Sequence, residues 1–185
     1  MPLVDFTRTN QVQLGPYKWF EAMPPFSLQP GDIILSSKPT IWGKPIQWLT
    51  GSKWTHVGIY AGMDRIIHAL WPDGVCYREL STVDMWSAWR VPGITTAQRA
   101  VVMEYVESKL GAKYDLKQFF LLGVRIALGK MAEWTDDPNE DEFVCSELVA
   151  EAYHRIGIHF GRYKENILPG HIAESDKTIF LYSSS

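Results

Sequence analysis

The sequence predicts an α+β fold: a small antiparallel sheet or barrel formed early in the chain and packed against helices supplied later. Three observations point there. Between positions 31 and 91, short β-branched and aromatic runs alternate with Gly, Pro and Asp punctuation. After position 95 the apolar spacing lengthens to a helical period. No internal repeat, low-complexity run or linker interrupts the 185 residues, a length that suits one domain. Composition agrees: 46% hydrophobic with 21% charged residues is globular rather than disordered.

In chain order, residues 1–30 carry Pro16, Pro24, Pro25 and Pro30 and read as an irregular leader on a domain spanning 31–185. Gly31-Asp32 opens the first strand, Ile33–Leu35. A loop with Pro39, Gly43, Pro45 and Gly51 follows. Four strand-like runs come next, His56–Tyr60, Arg65–Leu70, Val75–Leu80 and Trp86–Val91. Ala61-Gly62-Met63 reads as a three-residue hairpin loop. That loop pairs Tyr60 with Asp64 and sets His56 directly across from His68. Thr95-Thr96-Ala97-Gln98 is a capping box, opening a helix with Ala97, Val101, Tyr105 and Ser108 on one face and Val102 and Val106 broadening it. Gly111 stands where a helix end wants a left-handed residue.

The segment Leu116–Lys130 is apolar nearly all round, the mark of a core helix or of a surface that meets lipid. An acidic loop, 136–142, precedes a third helix with Leu148, Val149, Ala152 and Ile156 on one face, stopped by Gly157.

Charge and cysteine content narrow the function. The net charge of −3 supplies no basic field for phosphates, so nucleic acid is not an expected partner. Two cysteines, Cys76 and Cys145, cannot make a disulfide scaffold. The first ten residues lack a signal-peptide pattern, and no stretch of apolar residues reaches membrane-spanning length. The expectation is a protein made in the cytoplasm, with signal-independent export left open and no transmembrane segment.

Cys145 falls at the start of the third helix. Unpaired backbone N–H groups and the helix dipole favour an anion there, which lowers a thiol pKa and can hold an oxyanion. The carboxylates of 136–142 act in the opposite direction, and a small buried thiol is the plain alternative. Cys76 lies mid-strand and reads as packing. His56 and His68 suit a base oriented by a second polar group; two structural histidines, or a zinc site with Cys145, are the alternatives. His154 and His159 flank Gly157 and read as surface residues on different faces, and His171 as a surface residue too. Tryptophans 42, 48, 54, 71, 86 and 89 surround the histidine pair. Most belong to the core; Trp54, two residues before His56, is the candidate substrate-groove residue.

Five segments together resemble a known family: Gly31-Asp32-Ile33-Ile34-Leu35, Trp54–Tyr60 (WTHVGIY), Ile66-Ile67-His68-Ala69 followed by Gly74-Val75, Phe143–Val149 (FVCSELV), and Leu168–Ala173 (LPGHIA). The order, histidine before cysteine, is similar to the circularly permuted branch of the NlpC-type papain-like superfamily, close to YiiX-like proteins. The resemblance implies a permuted papain-like fold with Cys145 as nucleophile, His56 as base, and no cofactor. The third position is often Glu in YiiX-like relatives; His68 there resembles the lecithin retinol acyltransferase branch. The implied activity is a cysteine hydrolase working through an acyl-enzyme, on a peptide amide such as a cell-wall peptide, with acyl-lipid hydrolysis or transfer as the alternative. A binding module that keeps the fold without turnover is a third reading.

Overall fold

The computed structural model describes residues 11–13, 19–21, 28–37, 47, 51–115, 142–161 and 167–184. The apolar segment 116–130 lies outside them. Within the N-terminal region, β1 (Gln11–Gln13) and β2 (Trp19–Glu21) pair antiparallel, structure that its proline content did not announce.

The domain centres on a six-stranded antiparallel sheet. Its strands are β3 (Ile33–Ser36), β4 (His56–Gly62), β5 (Arg65–Leu70), β6 (Gly74–Glu79), β7 (Trp86–Arg90) and, late in the chain, β10 (Ile179–Ser183). The spatial order is β10-β7-β3-β4-β5-β6. A short parallel pair, β8 (Lys113–Tyr114) and β9 (Glu142–Phe143), joins the segment after the first helix to the segment before the second. Three helices are described: α1 (Thr96–Ser108), α2 (Cys145–His154) and α3 (Pro169–Glu174). The α+β expectation therefore holds as an open sheet with helices.

Alternation along the strands gives the sheet two apolar faces. Ile33, Leu35, Val57, Ile59, Ile67 and Ala69 share one core with Val102 and Val106 of α1 and most of α2. Ile34, Ile66, Leu80, Ala88 and Leu181 form a second cluster on the opposite face. Helix α1 starts at the expected capping box, with Thr95 Oγ1 accepting from Gln98 N–H at 3.2 Å and Gln98 Oε1 accepting from Thr95 N–H at 2.9 Å. Its buried residues are Val102 and Val106, while Val101 is exposed. The buried stripe is thus rotated from the one read by period alone, because both Val102 and Val106 meet α2 and the sheet.

A buried ionic knot fixes the strand edges. Asp32, fully buried, receives Arg90 Nε at 2.7 Å and Arg99 Nη1 at 3.3 Å, and its other carboxylate oxygen accepts Gln29 N–H at 2.8 Å. The Tyr153 hydroxyl donates to Gly31 O, so α2 is tied to the same corner.

The β4–β5 hairpin differs from expectation. Met63 and Asp64 both have positive φ, 50° and 57°, as a two-residue type I′ turn requires. The ladder also shifts between Tyr60 and Gly62. Ile59 therefore faces Ile67 and Tyr60 faces Ile66. Extended along the strands, this register sets Gly58, not His56, across from His68. The slip from the expected register is two residues, and an even slip keeps both histidines on one face.

Candidate active site

The two histidines come together as diagonal neighbours. His56 Nε2 lies 2.7 Å from His68 Nδ1, with ring centroids 4.9 Å apart and planes at 77°. Diagonal pairs on a sheet stand farther apart at Cβ than directly opposed ones, so the contact needs long side chains and a clear space between them. Gly58 provides the space. A Cβ there would sit 2.9 Å from Ile67 O and 3.1 Å from His68 Cβ.

His68 is 2% exposed, and burial pushes its pKa down to about 4, with the Arg78 guanidinium acting in the same direction and Asp73 opposing. At neutral pH the ring is an uncharged imidazole. Its Nδ1 is engaged with His56, while its Nε2 is buried with no hydrogen-bond partner among the described residues.

Cys145 is the first residue of α2, and the register explains its position. The β4–β5 ladder ends at Ile59–Ile67, so Val57 N–H is not taken up by β5. That N–H, with those of Ser146 and Cys145 itself, lies close enough to the Cys145 sulfur to favour its thiolate. The helix N-terminus thus enters where the two strands part, and it places the thiol beside the residue that follows His56. Glu147 completes the helix start by accepting Val144 N–H at 3.5 Å.

The thiol is nevertheless not acidic. Burial pushes its pKa up to about 11, and the three backbone N–H groups only partly offset that. The lowered pKa expected at a helix N-terminus gives way to desolvation, because the sulfur is sealed in the core rather than exposed at the helix end.

Sequence reasoning missed Tyr114. Its phenol is pushed up by burial and next by the neighbouring Cys145 sulfur, which places the two groups close together. The cause is long-range: β8 pairs with β9, which delivers Tyr114 to the strand that leads into Cys145. Cys76, read as packing, lies directly across from His68 on β6. Its thiol is pushed up, chiefly by burial, and both cysteines are free.

Trp54 is nearly buried and forms an edge-to-face pair with Trp89 at 6.5 Å. Trp89 packs in turn on Phe180 at 5.4 Å. These rings, with Lys53, Ser52 and Glu174, line an open groove of about 480 Å³. The Lys53 ammonium lies 4.5 Å over the Trp54 ring.

No family model matches the chain, and no curated protein does. Among solved structures, the metalloprotein YiiX of Escherichia coli O157:H7 is similar, with a TM-score of 0.63 at 17% identity, covering 84% of this chain and 97% of that one. The likeness is one of fold, and this chain has a YiiX-like fold. The residues gathered here do not fit a metal centre. Among the described residues no three His, Cys, Asp or Glu side chains cluster as ligands. Two nitrogens on one tetrahedral zinc stand about 3.3 Å apart. The His56–His68 contact, at 2.7 Å, is instead the length of a shared proton. No described helix is long and apolar enough to cross a membrane.

Proposed function

We propose that the protein is a cysteine hydrolase of the permuted papain-like kind, with Cys145 as nucleophile, His56 as general base and His68 as the positioning residue. One observation carries the reading: the His56–His68 contact is built on the strand whose next N–H, that of Val57, meets the Cys145 sulfur.

With His56 Nε2 facing His68, His56 Nδ1 is the atom assigned to take the thiol proton in this proposal. As the sulfur attacks the substrate carbonyl carbon, that proton moves to His56 Nδ1, and His56 Nε2–H donates to His68 Nδ1. The carbonyl π electrons move to oxygen. The N–H groups of Cys145 and Ser146 and the Tyr114 hydroxyl are the donors for this oxyanion. Collapse of the tetrahedral intermediate expels the leaving amine, which takes the proton from His56. Water, deprotonated by His56, then releases the acyl group and regenerates the thiol.

The leading substrate is a peptide amide, with cell-wall peptides first in line, and the groove at Trp54, Trp89 and Phe180 is the candidate seat for its apolar part. Histidine rather than a carboxylate at position 68 favours an acyl-lipid ester as the second reading, by resemblance to the acyltransferase branch. A membrane-surface contact belongs to that second reading.

The test is incubation of the protein, and of Cys145→Ala, with cell-wall fragments and with phospholipid vesicles, products being identified by mass. Products that need Cys145 in one pool name the substrate class. Products that form equally with Cys145→Ala, or none in either pool, overturn the assignment. Within the active pool, Tyr114→Phe should lower kcat by about 10²–10³-fold, the usual cost of one oxyanion donor. Unchanged kcat removes Tyr114 from the mechanism.

A further inference from the structure

A second histidine pair lies at the other end of α2. His154 is the last residue of the helix and His159 follows five positions later, on a segment expected to face elsewhere. Instead the chain reverses at Gly157, whose φ of 79° allows the sharp turn. Gly157 N–H donates to His154 O at 2.9 Å, and Ile158 N–H donates to Tyr153 O at 3.1 Å. The buried Phe160 ring packs on Tyr153 at 5.1 Å and anchors the returning strand of chain. The two imidazoles are thereby held edge to face, with centroids 4.7 Å apart.

Their Nδ1 atoms face each other at 3.2 Å, and both side chains are exposed. They form one wall of an open cavity of about 230 Å³, with Ala150, Ile158 and Ile167 on the apolar side. The cavity leaves room for water beside the nitrogens.

We propose that His154 and His159 chelate a divalent transition-metal cation of the zinc class through their two Nδ1 atoms, with water completing the coordination. Two zinc–nitrogen bonds of about 2.0–2.1 Å at a tetrahedral angle place the nitrogens about 3.3 Å apart. The observed 3.2 Å already matches that separation, and rotation of the exposed rings would aim both nitrogens at one ion. Neutral imidazole is a preferred ligand for this class of ion, and both rings stand at the surface where a hydrated ion can reach them. The two pairs differ: 2.7 Å at His56–His68 is too short for two ligands of one zinc, whereas 3.2 Å here, a long hydrogen bond in the metal-free chain, also spans one ion. The two places are also separate, because the nine-residue rise along α2 from Cys145 to His154 is about 13.5 Å. Bound metal would fasten the end of the helix to the turn that follows it, independently of the hydrolase reading.

The test is titration of the full chain with zinc chloride near neutral pH, followed by calorimetry, for the wild type and for His159→Gln, His154→Gln, His56→Gln and Cys145→Ser. The expected result is one zinc per chain, weakened tenfold or more in His159→Gln and His154→Gln and retained in His56→Gln and Cys145→Ser. The two surface variants should keep the wild-type circular dichroism spectrum. Absence of zinc binding reduces the pair to an Nδ1–H···Nδ1 hydrogen bond and overturns the proposal. Binding that survives in both His159→Gln and His154→Gln, or that disappears with His56→Gln or Cys145→Ser, overturns it as well.

Discussion

Replacing His68 by Asn tests whether the buried ring is held neutral. In the folded protein its pKa is about 4, against 6.5 for the exposed group. Between those values the unfolded chain binds a proton that the folded chain does not, so folding stability falls as pH falls through this window. From about pH 7 to about pH 4.5 the single-site relation gives a loss of about 2.5 kcal/mol from this residue. Asn cannot take up that proton, yet it offers the Nδ1 position a polar atom of similar reach. Urea denaturation at both pH values, on wild type and His68→Asn, isolates the effect as a difference of differences, since the carboxylates titrate alike in both proteins. The variant should lose about 2.5 kcal/mol less on acidification than the wild type. Equal losses in the two proteins would refute the claim that His68 is buried as a neutral ring.

The remaining predictions concern the elements around that ring. Gly58→Ala should destabilise by about 1–3 kcal/mol, because the new methyl meets Ile67 O and His68 Cβ; thermal unfolding reads it, and a neutral result would mean the hairpin opens there freely. Asp32→Asn should cost about 3–5 kcal/mol, since Arg90 and Arg99 lose their buried counter-charge; chemical denaturation measures it. Alkylation of Cys145 by iodoacetamide in Cys76→Ala should be slow at neutral pH and rise about tenfold per pH unit up to about pH 9, as a thiol with a pKa near 11 requires. A rate that is fast and flat across that range would show a resting thiolate instead.

What the sequence conveyed and what it hid separate along one line. Local chemistry was legible: the Thr95–Gln98 capping box, the strand at His56, the hairpin strands at Arg65–Leu70 and Gly74–Glu79, and the helix beginning at Cys145 all follow from neighbours within a few residues. Long-range geometry was not. Gly62 drew the expected hairpin loop toward itself, whereas the turn uses Met63 and Asp64, and nothing about methionine announces a positive φ. The face-to-face placement of His56 and His68 failed for that reason, and their shared face survived because the slip was even. Tyr114 could not be found locally, since its approach to Cys145 depends on a β8–β9 pairing between segments far apart in the chain. The same holds for His154 and His159. Helical spacing separates them, and only the reversal at Gly157 brings them back together.

The properties of the proposed site fit one resting state. A thiol with a pKa of about 11 and a His68 ring with a pKa of about 4 are both uncharged near neutrality. A preformed thiolate–imidazolium pair is therefore not how this arrangement stores its reactivity. The buried sulfur lies near three backbone N–H groups, which favour negative charge on it once it forms. In the proposed mechanism charge separation would coincide with attack, the thiol proton crossing to His56 as the carbonyl oxygen becomes anionic. A neutral acceptor at position 68 would orient His56 without adding the negative charge that a carboxylate supplies. That tautomer also obliges His68 to carry its own proton on Nε2, the buried atom that lacks a partner among the described residues. The uncharged sulfur gains in a second way, because thiols oxidise through their thiolates, and a resting thiol is spared until a substrate draws the proton away.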